Sequence, residues 1–181
     1  MSIVRVNVFG GPGSGKSTIA AWLFSQLKEA GRKIEHINEW IKTMAWQKSV
    51  PTSYDQIYVF AKQLRREDLL VRNGIPIITD SPLPLQLAYV RKNFERFYDP
   101  LAGILRCFEH DYPSFNIWLR RMTPYRVEGR YEDLDEAKVL DGIIREQLGL
   151  FSGSYVSLNP LDIEERKALA EELCKLLPVS K

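Results

Sequence analysis

Residues Ile3 to Phe9 form a largely apolar, β-branched run that breaks into Gly10-Gly11-Pro12-Gly13-Ser14-Gly15-Lys16-Ser17, and an amphipathic stretch follows at once. This segment constrains the chain more than any other. Its spacing is G-x-x-x-x-G-K-[ST], set between a predicted strand and a predicted helix. Such a turn must bend sharply and bring bare backbone N–H groups against phosphate oxygens, where a Cβ would collide. The helix starting near Lys16 adds its positive dipole end, the Lys16 ammonium reaches the outer phosphates, and the Ser17 hydroxyl suits a magnesium ion. The expected cofactor contacts are Gly11, Gly13, Ser14, Gly15, Lys16, Ser17 and Thr18, with ATP and Mg2+ as the cofactors. The competing reading is an ordinary glycine-rich turn, but the full pattern should arise by chance only about once per hundred such chains.

Strand and helix signals alternate along the rest of the chain. Further strands are expected over Lys33 to Asn38, Ile75 to Thr79, Phe115 to Leu119 and Ser154 to Leu158. Helices are expected over Lys16 to Lys28 and Tyr54 to Arg72, the latter with Ile57, Phe60, Ala61, Leu64 and Leu69 as its inward stripe. Two helical pieces separated near Asp99-Pro100 should fill Leu85 to Tyr112, and later helices Asp133 to Leu148 and Asp162 to Leu177. This alternation implies right-handed crossovers and a mostly parallel sheet covered on both faces, with ligands at the carboxyl ends of its strands.

Composition narrows the function. A chain of 181 residues with 45% hydrophobic and 27% charged residues can bury one core and is expected to be a single domain, 1–181. Its net charge of +2 argues against a protein devoted to coating nucleic acid. Cys107 and Cys174 are far apart with no CxxC, so a disulfide scaffold or cysteine zinc site is not expected. Without an export signal or a run of about 20 apolar residues, the expected location is cytoplasmic, with no membrane partner. His36 and His110 lack partners at metal-ligand spacing and are expected to be structural.

Three features are placed to act with the glycine loop. Asp80 ends the Ile75 to Thr79 strand, where a carboxylate can hold magnesium together with Ser17; a helix N-cap before Ser81-Pro82 is the alternative. Glu39 follows the second strand and can accept a proton from an acceptor hydroxyl or orient the acceptor; a solvated glutamate is the alternative. Arg120, Arg121, Arg126 and Arg130 surround Pro124 and Gly129 and suggest a small arginine-rich lid, approximately 120–132. Arg126 and Arg130 would then meet the transferring group, and Arg120 and Arg121 anchor the lid; solvated arginines are the alternative. Acceptor contacts are expected from Glu39, Trp40, Gln63 and Arg66. Arg65 lies on the same helix, and Tyr54, Tyr58, Phe60 and Trp46 are further aromatic candidates for stacking on a base, with core packing the favoured role of each alone.

With these residues in place the chain resembles the P-loop nucleoside and nucleotide kinase superfamily, and within it the small kinase-like proteins often encoded by bacteriophages. The resemblance rests on Gly10 to Ser17, on Thr79-Asp80-Ser81-Pro82 and on Gly129-Arg130, and covers nearly the whole chain. Glu39-Trp40 is placed as in deoxynucleoside kinases, where a glutamate after the second strand serves as base, and nicotinamide riboside kinases keep an acid in a comparable place. Deoxynucleoside and thymidylate kinases commonly carry an arginine after the acid that ends the third strand; here Ser81 stands there.

The resemblance implies a three-layer α/β/α sandwich with a five-stranded parallel sheet in the strand order of these kinases. It also implies transfer of the ATP γ-phosphoryl group to a nucleoside, nucleotide or related base-bearing molecule, with Lys16, Glu39, Asp80, Arg126 and Arg130 as catalytic residues. A homodimer, and the host cytoplasm for a phage-encoded chain, are compatible with it. Two other activities stay open: a kinase acting on a hydroxyl of DNA or RNA, less favoured by the near-neutral charge, and a P-loop ATPase or switch module.

Overall fold

The structure, a computed structural model, describes residues 4–40, 52, 54–122 and 134–180. In chain order the elements are β1 (Arg5–Phe9), α1 (Lys16–Glu29), β2 (Glu35–Ile37), α2 (Asp55–Val71), β3 (Ile77–Thr79) and α3 (Leu83–Asn93). A 3-10 turn (Glu95–Phe97) then leads to α4 (Tyr98–Asp111), β4 (Ser114–Leu119), α5 (Leu134–Phe151), β5 (Val156–Leu158) and α6 (Ile163–Leu176). The five strands form one parallel sheet in the order β2-β3-β1-β4-β5. Helices cover both faces, so the expected three-layer α/β/α architecture is the one observed.

The strands alternate between two unlike faces. Val6 and Val8 of β1, Ile78 of β3 and Ile117 and Leu119 of β4 pack against Ile19, Ala20, Leu23 and Leu27 of α1 and Leu169 and Leu173 of α6. Burying each of the larger side chains contributes about 1.5–3 kcal/mol, and the buried cluster on this face is apolar. On the opposite face Phe9 and Trp118 pack with Leu85 of α3 and Leu140, Ile144 and Leu148 of α5. Beside them lies a polar inlay. Arg5 is fully buried, its guanidinium 2.6 Å from Glu109 and 3.6 Å from Glu67, with Nε donating to the Tyr112 carbonyl at 3.0 Å. The Asn7 side chain donates to that of Asn116 at 3.1 Å on the neighbouring strand.

This inlay corrects the expected stripe of α2. Its buried residues are Gln56, Val59, Phe60, Gln63, Glu67 and Val71, whereas Ile57, Ala61 and Leu69 are exposed. Because Arg5 needs an anion and Thr79 a hydrogen-bond partner, the helix turns Glu67 and Gln63 inward and leaves three of the expected apolar residues in solvent. The break between α3 and α4 also moves: it falls at residues 94–97, and Pro100 sits in the first turn of α4. A proline is tolerated there because that N–H has no helical acceptor.

Two carboxyl groups face one guanidinium, and burial decides between them. Removal from water pushes the Glu67 pKa from 4.5 up to about 7; the Arg5 charge and the Gln63 hydrogen bond only partly oppose this. Folding therefore binds a proton between those values. The contribution of Glu67 to stability is fully present below pH 4.5, declines as pH rises towards about 7, and is gone above it. The change is on the order of 3 kcal/mol. Denaturant unfolding of Glu67→Gln should show a flatter stability profile between pH 5 and 7 than the parent chain; parallel profiles would contradict this account.

Candidate functional site

All five strands point the same way, so β1, β2 and β3 release the glycine loop, Glu39 and Asp80 at one edge of the sheet. The loop leaves β1 at Gly10 and enters α1 through Gly15, whose φ of 89° lies in the left-handed region that a side chain would strain. Ser14 N–H donates to the Gly11 carbonyl at 3.3 Å, and Gly15 C=O accepts from Ile19 N–H at 3.0 Å, which starts the helix. Lys16 curls back so that Nζ donates to the same Gly11 carbonyl at 3.0 Å. Ser17 and Thr18 are exposed in the first turn of α1.

Asp80 is 2% exposed and joins two segments. Its Oδ2 accepts from the Ser17 hydroxyl, and its Oδ1 accepts from the Glu39 backbone N–H at 3.2 Å. It does not cap α3: the N-cap is Pro82 and no side-chain cap bond forms there. A hydroxyl and a carboxylate in contact are hard oxygen donors, the set that Mg2+ prefers, so Ser17 and Asp80 fit the ion that the loop implies. Among the described residues there is no cluster of three or more His, Cys, Asp or Glu that could hold a metal by itself.

The expected acceptor residues divide. Glu39 and Trp40 sit together at the exit of β2, both partly buried, and the Trp40 ring meets Tyr58 of α2 edge-on at 5.1 Å. Lys62 Nζ lies 5.2 Å from the centre of the Tyr58 ring. Arg66 Nη1 donates to the Asn38 carbonyl at 2.8 Å, tying α2 to the end of β2. Gln63 is fully enclosed beneath the strand ends, donating to Glu67 at 3.0 Å and to Thr79 Oγ1 at 3.4 Å. Phe60 is a core residue, packed with Ile37 and Ile77, the favoured of its two expected roles. Tyr54 is exposed and its ring centre lies 5.1 Å from that of Phe97. Trp46, Arg126 and Arg130 lie outside the described residues, as does most of the expected lid.

The two arginines that follow β4 separate sharply. Arg120 turns to α6, where its Nη2 lies 2.5 and 2.7 Å from the two Glu165 oxygens. Glu165 also accepts from Asn159 N–H, and these bonds, the backbone one first, hold its carboxyl below the usual range. Arg121 turns to the glycine loop. Nε and Nη2 grip Asp141 of α5 at 2.9 Å each, while Nη1 donates to the Pro12 carbonyl at 2.8 Å.

Asp141 has no place among the sequence candidates, yet a signal exists. It lies on the stripe of Ala137, Leu140, Ile144 and Leu148 that α5 buries, and an acid on an apolar stripe asks for a partner. Arg120→Ala should leave nucleotide binding unchanged in a titration with a fluorescent ATP analogue, because its bonds run to α6; a clear loss would contradict the division described here.

The sequence profile of the family described as an AAA domain matches residues 5–166. Among solved structures, deoxyadenosine kinase from M. mycoides, solved with its products dCMP and a flexible dCDP, has a similar fold, with a TM-score of 0.62 and 20% identity. That alignment covers 94% of this chain and 99% of the kinase. The crystal structure of APE1195 aligns with a TM-score of 0.51 and 19% identity over 97% of this chain and 96% of that one. No curated protein matches the sequence.

Proposed function

We propose that this chain, which belongs to the AAA domain family matched over residues 5–166, is a magnesium-dependent phosphotransferase. It moves the γ-phosphoryl group of ATP to a nucleoside, a nucleotide or a related base-bearing small molecule. The observation that carries this reading is the Asp80 carboxylate, which bonds the Ser17 hydroxyl with one oxygen and the Glu39 N–H with the other. The helix that receives the donor and the strand exit that faces the acceptor thus meet on one group, as a transfer between two bound molecules needs. Support also comes from the fold shared with a deoxyadenosine kinase solved with nucleotide products.

In this reading Gly11, Gly13, Ser14, Gly15 and Thr18 surround the donor phosphates, and Lys16 leaves the Gly11 carbonyl to meet the outer ones. Ser17 and Asp80 hold magnesium, which when bound neutralises charge on the phosphate oxygens. Glu39 accepts the proton of an acceptor hydroxyl; for an acceptor that is already a monophosphate it only orients the molecule, because a phosphate oxygen is ionised at neutral pH. Trp40 offers an aromatic wall on the acceptor side and Arg66 keeps that wall attached to β2. Gln63 supports the strand end from below. Arg126 and Arg130 keep the role of closing cations that the sequence suggests.

The test is transfer of labelled γ-phosphate from ATP with Mg2+ to nucleosides, nucleoside monophosphates, nicotinamide riboside and DNA ends. Transfer to one acceptor class is expected, reduced by about 10²–10³ in Lys16→Ala and in Asp80→Asn. Phosphate release that no acceptor stimulates would replace this reading with an ATPase or switch. Salt-sensitive transfer to DNA ends would replace the small-molecule acceptor with nucleic acid.

A further inference from the structure

We infer that Asp141 is a positioning residue for the phosphate loop, acting through Arg121. The inference rests on the reading of that loop as the ATP site. Arg121 and Asp141 are mostly buried, with side chains 17% and 22% exposed, so their pair is shielded from water. Two bonds of 2.9 Å fix the plane of the guanidinium, and a planar fork held on one edge has no freedom on the other. Its remaining nitrogen, Nη1, is thereby aimed at the Pro12 carbonyl, 2.8 Å away.

That bond orients a peptide unit of the loop. In a trans peptide the C=O and the following N–H point in opposite directions, and the chain has no cis bond among its described residues. Holding the Pro12 oxygen towards Arg121 turns the Gly13 N–H the other way. The neighbouring carbonyl of Gly11 is held by Lys16 Nζ at 3.0 Å. Two consecutive carbonyls of the loop are thus each fixed by a cation, one from α1 and one held by α5. When Lys16 moves to the phosphates the Arg121 bond stays, so a phosphate meets a Pro12–Gly13 peptide that is already oriented, which lowers the ordering cost of binding.

Gly11 shows how closely the pair approaches the loop. A Cβ built on it would lie 1.9 Å from Asp141 Oδ1 and 2.8 Å from Arg121 Nη2, while its φ is not in the left-handed region. Backbone conformation does not require glycine here; the carboxylate of α5 does. The missing side chain is the space that Asp141 occupies.

The experiment measures binding of a fluorescent ADP analogue with Mg2+, together with the thermal unfolding of each ligand-free variant. Asp141→Asn keeps the shape and removes the charge, and should weaken binding about tenfold with little change in ligand-free Tm. Arg121→Ala should cost about as much, and the double variant no more than Arg121→Ala alone, because Asp141 acts only through that guanidinium. Gly11→Ala should cost much less in an Asp141→Gly background than in the parent chain. Additive losses in the double variant, or parent-like binding by Asp141→Asn, would overturn the inference. Lys16→Ala separates the two claims: if it binds the analogue as the parent does, the loop is not the nucleotide site and the underlying reading fails instead.

Discussion

Five parallel strands impose one condition on this protein: each must end at the same edge, and nothing can return to that edge without crossing a helical layer. β1 lies in the middle, between β3 and β4, so its loop opens where chain segments from both sides can reach it. Asp80 arrives from the β3 side and Arg121 from the β4 side. The contacts across the loop follow from this placement. A hydroxyl from the first turn of α1 meets the acid that ends β3, and a carbonyl of the loop meets the arginine that leaves β4.

The order of the elements, the parallel sheet and the phosphate loop could be read from sequence because they depend on local signals. A glycine run after an apolar strand has one geometry, and helical periodicity persists over many residues. The orientation of α2 could not be read in this way. Its apolar residues allow a stripe through Ile57 and Leu69, and only the charge on Arg5, about sixty residues earlier in β1, selects the face that carries Gln63 and Glu67. An arginine in a short strand gives no notice that it will be fully enclosed. Once enclosed, it reorients the helix above it, since an unpaired buried charge costs more than three apolar side chains left in water.

The same limit governs the site. Asp80 and Glu39 are legible because each lies at the carboxyl end of a strand, a position with meaning in a parallel sheet. The division of Arg120 from Arg121 was not, because adjacent residues of an extended chain point to opposite sides and only the packed helices decide which side holds the loop. Asp141 lies twenty residues beyond its partner and was hidden for a different reason: in α5 it reads as one more charge on a helix rich in charges. Its neighbours on the buried stripe distinguish it, and that distinction needs the helix to be seen against the sheet.

A continuous set of hydrogen bonds connects the inlay to the edge of the site. Glu67 accepts from Gln63, Gln63 donates to the Thr79 hydroxyl, and the same hydroxyl accepts from Ser81 N–H. Thr79 and Ser81 flank Asp80, so the carboxylate that meets Ser17 and Glu39 is mounted on a turn braced from within. A turn made only of backbone would leave Asp80 free to follow whichever partner pulled harder. Bracing by buried polar groups costs desolvation, which the raised pKa of Glu67 records. A wholly apolar face would avoid that cost but leave the turn without hydrogen-bond partners beneath it. Both faces of the sheet carry apolar core, and the polar inlay set into one of them determines where a single carboxylate stands.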